Sequence, residues 1–225
     1  MVTAAKINEI FDSIQGEGPV VGYKQLFIRF CGCNLNCDYC DTEFKTGEKY
    51  TPQSLYEKIN SDFDLETFHS VSLTGGEPLL SYEFLEEFLP LIKNTTKVYL
   101  ETNATLYDEL VRVKKLIDIV SADIKLPSCT NGADLFDLHE KFFKNCEGLN
   151  TFAKIVFDKN ITQEEIDFCT YIGKNYDIEL VLQPKMDGNI MSVSSEFCQE
   201  ILNRFTYKYA NTRLIPQVHK FLNVR

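Results

Sequence analysis

Short runs in which apolar residues alternate with polar ones recur along the chain at KINEIFDSI, KQLFIRFC, HSVSLT, KVYLET, IDIVSADI, TFAKIVFD, IELVLQP and TRLIPQ. Their period of two and their content of β-branched and aromatic residues predict strands. Between them the apolar spacing becomes helical. Thr51 and Pro52 supply a cap and a first-turn proline for a helix through Ile59, and Ser81 stands where it would cap SYEFLEEFLPLIK, whose internal Pro90 is expected to kink or end it. Further helices are expected at LYDELVRVKKL, ADLFDLHEKFF, TQEEIDFCTYIGK and SSEFCQEILNRF. Strand followed by helix, again and again, predicts an α/β fold with a mostly parallel sheet and helices outside it. The strand count suits an open, partial (incomplete) β/α barrel better than a closed one.

In such folds the reactive groups gather at the carboxyl ends of the strands. That rule brings CGCNLNCDYCDT, TGGEP, ETN, SADIK and LQP to one rim, each following its own predicted strand. The 225 residues fit a single domain, 1–225, and no repeat or low-complexity tract divides them. A formal charge of −10 argues against the broad basic surface that nucleic-acid binding requires. No apolar run approaches the length of a membrane span, and the opening MVTAAKINEIFDSIQ lacks the basic end and apolar stretch of a secretion signal, so a cytoplasmic location is expected.

In that compartment eight cysteines point to metal or redox chemistry before disulfides. Cys33, Cys37 and Cys40 form C-x3-C-x2-C, with Gly32, Asn34 and Asn36 allowing tight turns between them. Iron–sulfur clusters ordinarily take four thiolates; three leave one iron open, as a catalytic metal site needs. The alternative is a structural zinc site completed by a fourth ligand such as Cys31, which the strand alternation would turn to the same face as Cys33. Cys169 and Cys198 fall on apolar helix faces and read as core thiols, while Cys129 and Cys146 lack ligand spacing.

The three-cysteine loop followed by TGGEP resembles the radical S-adenosylmethionine (SAM) superfamily. The resemblance implies a [4Fe-4S] cluster on Cys33, Cys37 and Cys40 and reductive cleavage of SAM to methionine and a 5′-deoxyadenosyl radical. It also implies SAM contacts from Tyr39 and Asp41 beside the last cysteine, from Gly76 and Glu77 in TGGEP, and from Asn103, Ser121, Asp123, Lys125 and Gln183 at later strand ends. Backbone carbonyls near Gly75 and Gly76, with Glu77 behind them, would accept from the SAM ammonium.

Two further stretches, EIFDSIQGEGPVVGYKQLFIRFCGCNLNC and the CDT after the cluster, together with the ending QVHKFLNVR, resemble the 7-carboxy-7-deazaguanine synthase family. That resemblance implies radical ring contraction of 6-carboxy-5,6,7,8-tetrahydropterin, with loss of ammonia and dependence on Mg2+, in queuosine and deazapurine biosynthesis. Thr42 then matches the magnesium-binding threonine. Ile14, Gln15, Gly16, Glu17, Thr74, His219 and the Arg225 carboxylate match substrate contacts, and Arg29 offers a planar fork to the substrate carboxylate. Flavodoxin or ferredoxin is the implied electron donor, with Lys24, Lys45 and Lys49 as candidate docking residues, and a homodimer is the implied assembly. A glycyl-radical activating enzyme shares the loop, TGGEP and the size, but QGEG and CDT speak against it. From another class, a zinc-stabilised interaction module remains open until iron and sulfide are measured.

Overall fold

Alternation along the strands decides which side of the sheet each residue serves, and the computed structural model, which describes residues 3–37, 46–130 and 134–224, follows it closely. The chain begins with β1 (Ala5–Ile14), β2 (Lys24–Phe30) and β3 (Glu48–Tyr50), then α1 (Pro52–Asp62). Strand–helix units follow: β4 (Ser70–Gly75) and α2 (Tyr82–Ile92), β5 (Lys97–Thr102) and α3 (Tyr107–Val113), β6 (Ile119–Ile124) and α4 (Phe136–Asn145), β7 (Asn150–Phe157) and α5 (Gln163–Tyr176). Next come β8 (Glu179–Pro184), the small hairpin β9 (Met186–Asp187) and β10 (Ile190–Met191), α6 (Ser195–Lys208), β11 (Thr212–Leu214) and α7 (Val218–Leu222).

Among the described residues, nine strands form one sheet in the order β11-β8-β7-β6-β5-β4-β2-β1-β3. From β11 to β2 every pairing is parallel; β1 then runs antiparallel to β2, and β3 antiparallel to β1. The edges β11 and β3 are not paired with each other, so the sheet is open and the barrel incomplete, as expected.

Leu26, Ile28, Val71, Leu73, Val98, Leu100, Val120, Ala153, Ile155, Leu180 and Leu182 face the helices and bury a large core with Leu55, Ile59, Phe88, Leu89, Phe142, Ile166, Ile172 and Phe205. Burying side chains of this kind is worth roughly 1.5–3 kcal/mol apiece, which is what holds the helical layer on the sheet. Cys169 and Cys198 belong to that core, as their helix faces predict. Residues of opposite parity face the other way. There Tyr99, Ile119, Phe152 and Val181 make a second, small cluster, and beyond it the same face turns polar.

Two local expectations are corrected. Thr51 caps α1 through a capping box with Ser54, but Ser81 makes no side-chain cap; Glu77 instead accepts from Leu79 N and caps the 3-10 turn that leads into α2. Pro90 lies inside α2, which runs on to Ile92, so the proline ends the helix only within the following turn. The strands β3, β9 and β10 are two or three residues long, too short for a periodic signal.

Candidate active site

The rim is built by two loops whose backbones touch. Gly76 N donates to Phe30 O (3.1 Å) and Glu77 N to Gly32 O (2.9 Å), which ties TGGEP to the start of the cysteine loop. A Cβ on Gly76 would run into the Gly32 carbonyl, and Gly75 has φ +120°, so the glycine pair answers both a close approach and a conformation that only glycine adopts cheaply. Cys33 and Cys37 line the cavity that opens beside this contact; Tyr39, Cys40, Asp41 and Thr42 lie outside the described residues. Asn103 Nδ2 reaches Cys33 Sγ at 3.8 Å and donates to Asn34 Oδ1 at 2.8 Å.

Glu77 stands behind the cavity wall. It is completely buried and absent from the cavity wall; Oε1 accepts from Leu79 N (3.0 Å) and Thr102 Oγ1 (3.0 Å), and Oε2 from Asn103 N (2.7 Å). It clamps the loop after β4 to the loop after β5. Burial pushes its carboxyl up to about 7 against the pull of these three donors. His139 of α4 does the same for the next pair of loops. Its Nδ1 bonds Ala104 O (3.1 Å) and its Nε2 accepts from Lys125 N (3.0 Å), an arrangement that needs the neutral ring, and burial lowers its pKa to about 4. Cys31 is corrected too. Its N donates to Lys6 O of β1 and its thiol to Thr46 O (3.4 Å), away from the cavity that Cys33 and Cys37 line.

The floor is laid by the segment after β1. Because β1 is antiparallel, this segment enters at the amino end of β2, where Ile14 pairs with Lys24. Gln15 is buried; its amide donates to Gln25 Oε1 (2.9 Å) and Glu101 Oε1 (3.0 Å), while its oxygen accepts from Glu17 N (3.0 Å). The two amide hydrogens are thus engaged within the protein, where the sequence offered them to a heterocycle. Thr74 Oγ1 donates to Glu101 Oε2 (2.7 Å). Glu17 receives Lys154 Nζ at 2.5 Å and Gln217 Nε2 at 2.6 Å. Burial raises the Glu17 carboxyl, but the Lys154 ammonium and the Gln217 hydrogen bond, with His219 beside them, together outweigh it and hold the pKa at about 2. Lys154 also faces Asp123 at 3.5 Å, and Asp123 holds Lys125 at 2.7 Å. Arg29 lines the cavity with its Nε on Glu9 (2.8 Å), so an ion pair already engages the fork that the sequence assigns to substrate.

The open side is braced. Val218 N donates to Gly16 O (2.9 Å), and the His219 ring lies where a Gly16 side chain would be, so the segment after β11 rests on the segment after β1. These walls enclose about 1180 Å³, lined among others by Ile14, Gly16, Ser121, Gln183, His219 and Lys220. Among the described residues, Gln183 Oε1 and Asp123 Oδ1 are buried there without a hydrogen-bond partner. An orphaned acceptor of this kind is costly unless a ligand donor satisfies it. With cysteine thiols on the same wall, the donor set fits a thiolate-bound cluster and a ligand rich in N–H and O–H groups.

Residues 27–131 match the Radical SAM superfamily. The whole chain is similar to a 7-carboxy-7-deazaguanine synthase of Geobacter sulfurreducens, 34% identical over 97% of each chain, and to one of Archaeoglobus fulgidus, 37% identical over 98% of this chain and 99% of the relative. The chain belongs to the 7-carboxy-7-deazaguanine synthase family. Among solved structures it resembles QueE from Escherichia coli, with a TM-score of 0.67 and 21% identity over 96% of this chain and 95% of that one, which bears out the fold. Membership in a radical SAM family brings a [4Fe-4S] cluster and SAM.

Of the residues singled out in the sequence, the substrate candidates Ile14, Gln15, Gly16, Glu17, Arg29, Thr74 and His219 and the SAM candidates Gly76, Asn103, Ser121, Asp123, Lys125 and Gln183 line the cavity with Cys33 and Cys37. Arg225, like Lys45, falls outside the described residues. Lys24 begins β2, at the end opposite the cysteine loop, which removes it from the cluster's surroundings. Lys154 and Glu101 were missed. Each is a charge inside an apolar strand, in phase with Phe152 and Tyr99, and the reasoning applied to Arg29 would have found both.

Proposed function

We propose that the chain is a radical SAM lyase that contracts the ring of 6-carboxy-5,6,7,8-tetrahydropterin to 7-carboxy-7-deazaguanine with loss of ammonia, in queuosine and deazapurine biosynthesis. One observation carries the reading. A single cavity is lined at its rim by Cys33 and Cys37 and at its floor by Gln15, Gly16, Glu17 and His219, the two motif sets that resemblance assigns to cofactor and substrate. About 1180 Å³ exceeds the roughly 300–1,000 Å³ of a site for one drug-sized ligand, as two ligands side by side require.

When bound, the cluster and SAM supply the one-electron chemistry that takes a hydrogen atom from the substrate. The protein's own part is to orient and to exclude water. Cys33, Cys37 and Cys40 would hold the cluster. Gln183 Oε1, Asp123 Oδ1, Asn103 and the Gly75–Gly76 backbone would take the polar groups of SAM, with Ser121 and Lys125 nearby. Glu17, kept charged by Lys154, and Glu101, held by Thr74 and Gln15, present acceptors to the N–H edge of a pterin. Arg29 and His219 are the candidates for its carboxylate. Thr42 would share a Mg2+ with substrate oxygens, in line with that ion's preference for oxygen ligands. A flavodoxin or ferredoxin would deliver the electron, and a cytoplasmic homodimer would be the working form.

The test is product analysis by mass spectrometry after anaerobic reconstitution with iron and sulfide, in the presence of SAM, dithionite, Mg2+ and 6-carboxytetrahydropterin. The expected result is 7-carboxy-7-deazaguanine, abolished in Cys37→Ala. Deoxyadenosine without that product would retain the superfamily chemistry and reject the substrate.

A further inference from the structure

A buried file of charges runs from one half of the cavity to the other. Lys125 pairs with Asp123 at 2.7 Å, Asp123 faces Lys154 at 3.5 Å, Lys154 pairs with Glu17 at 2.5 Å, and Glu17 accepts from Gln217 at 2.6 Å. Lys154 is 9% exposed and stands at the middle of the file. Cross-strand register sets its place, since Asp123 of β6 pairs directly with Lys154 of β7 on the cavity face. On one side of Lys154 lies Asp123, whose buried Oδ1 has no hydrogen-bond partner among the described residues; on the other lies the carboxylate of the QGE segment. A buried ammonium between two carboxylates cannot leave either without stranding a charge in a dry site, and removing one partner of such a pair costs several kcal/mol.

The geometry points to Lys154 as a positioning residue that couples the two halves: by holding Asp123 and Glu17 on one ammonium, it makes SAM binding and substrate binding mutually reinforcing. The inference rests on the functional reading above and goes beyond it in assigning a residue and a linkage. A ligand donor that satisfies Asp123 leaves more of the Lys154 ammonium to Glu17, which is thereby held charged and in place for the substrate. By linkage, a factor gained by one ligand is gained equally by the other. Glu17 is faced by Lys154 of β7, Tyr99 of β5, and Gln217 and His219 of the segment after β11, while Asp123 of β6 and Glu101 of β5 act on Lys154. Among these, Lys154 provides the pairing charge in contact with it. Without Lys154, burial of the Glu17 carboxyl would be opposed only by the Gln217 hydrogen bond and by His219, so the carboxyl would rise from where the pair holds it.

The experiment is calorimetric titration of cluster-reconstituted protein with 6-carboxytetrahydropterin, with and without saturating SAM, between pH 5.5 and 8.5, for wild type, Lys154→Met and Lys154→Arg. Wild type should bind with an affinity that SAM improves by about fivefold or more, within the usual range of such couplings. Lys154→Met should lose that improvement and bind more weakly at pH 5.5 than at 8.5, beyond any pH dependence that wild type shows; Lys154→Arg should recover most of both properties. If Lys154→Met does not fold, Glu17→Gln removes the other charge of the pair and should lose the SAM effect equally. Wild type that fails to bind the pterin would overturn the functional reading and this inference with it. Wild type that binds, beside a Lys154→Met or Glu17→Gln protein that keeps the SAM effect, would overturn the inference and leave the reading standing. A lowered melting temperature with coupling and pH profile unchanged would likewise reduce Lys154 to a structural role.

Discussion

The rim and the floor of the cavity bury titratable groups by opposite means. At the rim, Glu77 and His139 face backbone N–H and C=O groups, and burial drives both toward their neutral forms, to about 7 and about 4. At the floor, Glu17 and Lys154 face each other, and each holds the other charged. The difference follows from what each region must hold. Loops need their backbones fixed, and a group that bonds peptide units does so without placing a net charge beside the cluster. A polar substrate needs charge waiting for it, and only paired ions keep charge in a dry site.

The comparison can be broken at the rim first. Glu77→Ala removes one acceptor group from three buried donors, Leu79 N, Asn103 N and Thr102 Oγ1. At roughly 1–3 kcal/mol for each donor left unsatisfied, partly recovered by water entry, the variant should lose about 3–5 kcal/mol of stability in urea unfolding. A loss below about 1 kcal/mol would show that the clamp is dispensable.

Acid dependence gives the next largest effect. His139 falls from 6.5 to about 4 on folding, so its contribution is full above 6.5 and is lost as pH falls toward 4, roughly 3 kcal/mol in all. Glu77 rises from 4.5 to about 7, so its contribution is full below 4.5 and is lost as pH rises toward 7. Between about 4.5 and 6.5 the two slopes oppose. Wild type should therefore change little in stability over that interval, whereas Glu77→Gln should weaken steadily on acidification. Parallel urea curves at pH 4.5 and 6.5 decide it; equal slopes in the two proteins would reject the opposition.

The floor should answer in affinity more than in stability. Thr74→Val deletes a hydrogen bond to Glu101, whose remaining contacts with Gln15 and Ser72 keep it in place. About 1 kcal/mol of stability is at stake. Substrate affinity, measured by the same calorimetry, should fall by a similar free energy, and an unchanged value would remove Thr74 from the substrate's surroundings.

Much of this was legible in the sequence because most of it is periodic or motif-borne. Runs such as KVYLET and TFAKIVFD announced their strands, which form β5 and β7, and the cysteine loop with TGGEP marked the rim. What escaped depended on tertiary approach. The role of Glu77 follows from the contact between Gly32 and Gly76, which no local pattern announces. Cys31 faces away from Cys33 because β2 ends at Phe30: the Cys31 N–H turns to Lys6 O, and Gly32 adopts φ +86°, so strand parity stops just where it was extrapolated. The short strands β3, β9 and β10 carry too few residues for any period to show.

The brace between the segments after β1 and β11 has a consequence for the shape of the whole ring. A barrel closed by strand pairing has its girth fixed by strand number and shear, and can change only by whole steps of register. Here the two sides meet through Val218 on Gly16 and Gln217 on Glu17, positions 200 residues apart in the latter pair. The circumference is completed by side chains and one backbone bond, so it can be retuned by single substitutions in steps far smaller than a strand width, with every ladder of the sheet left as it is.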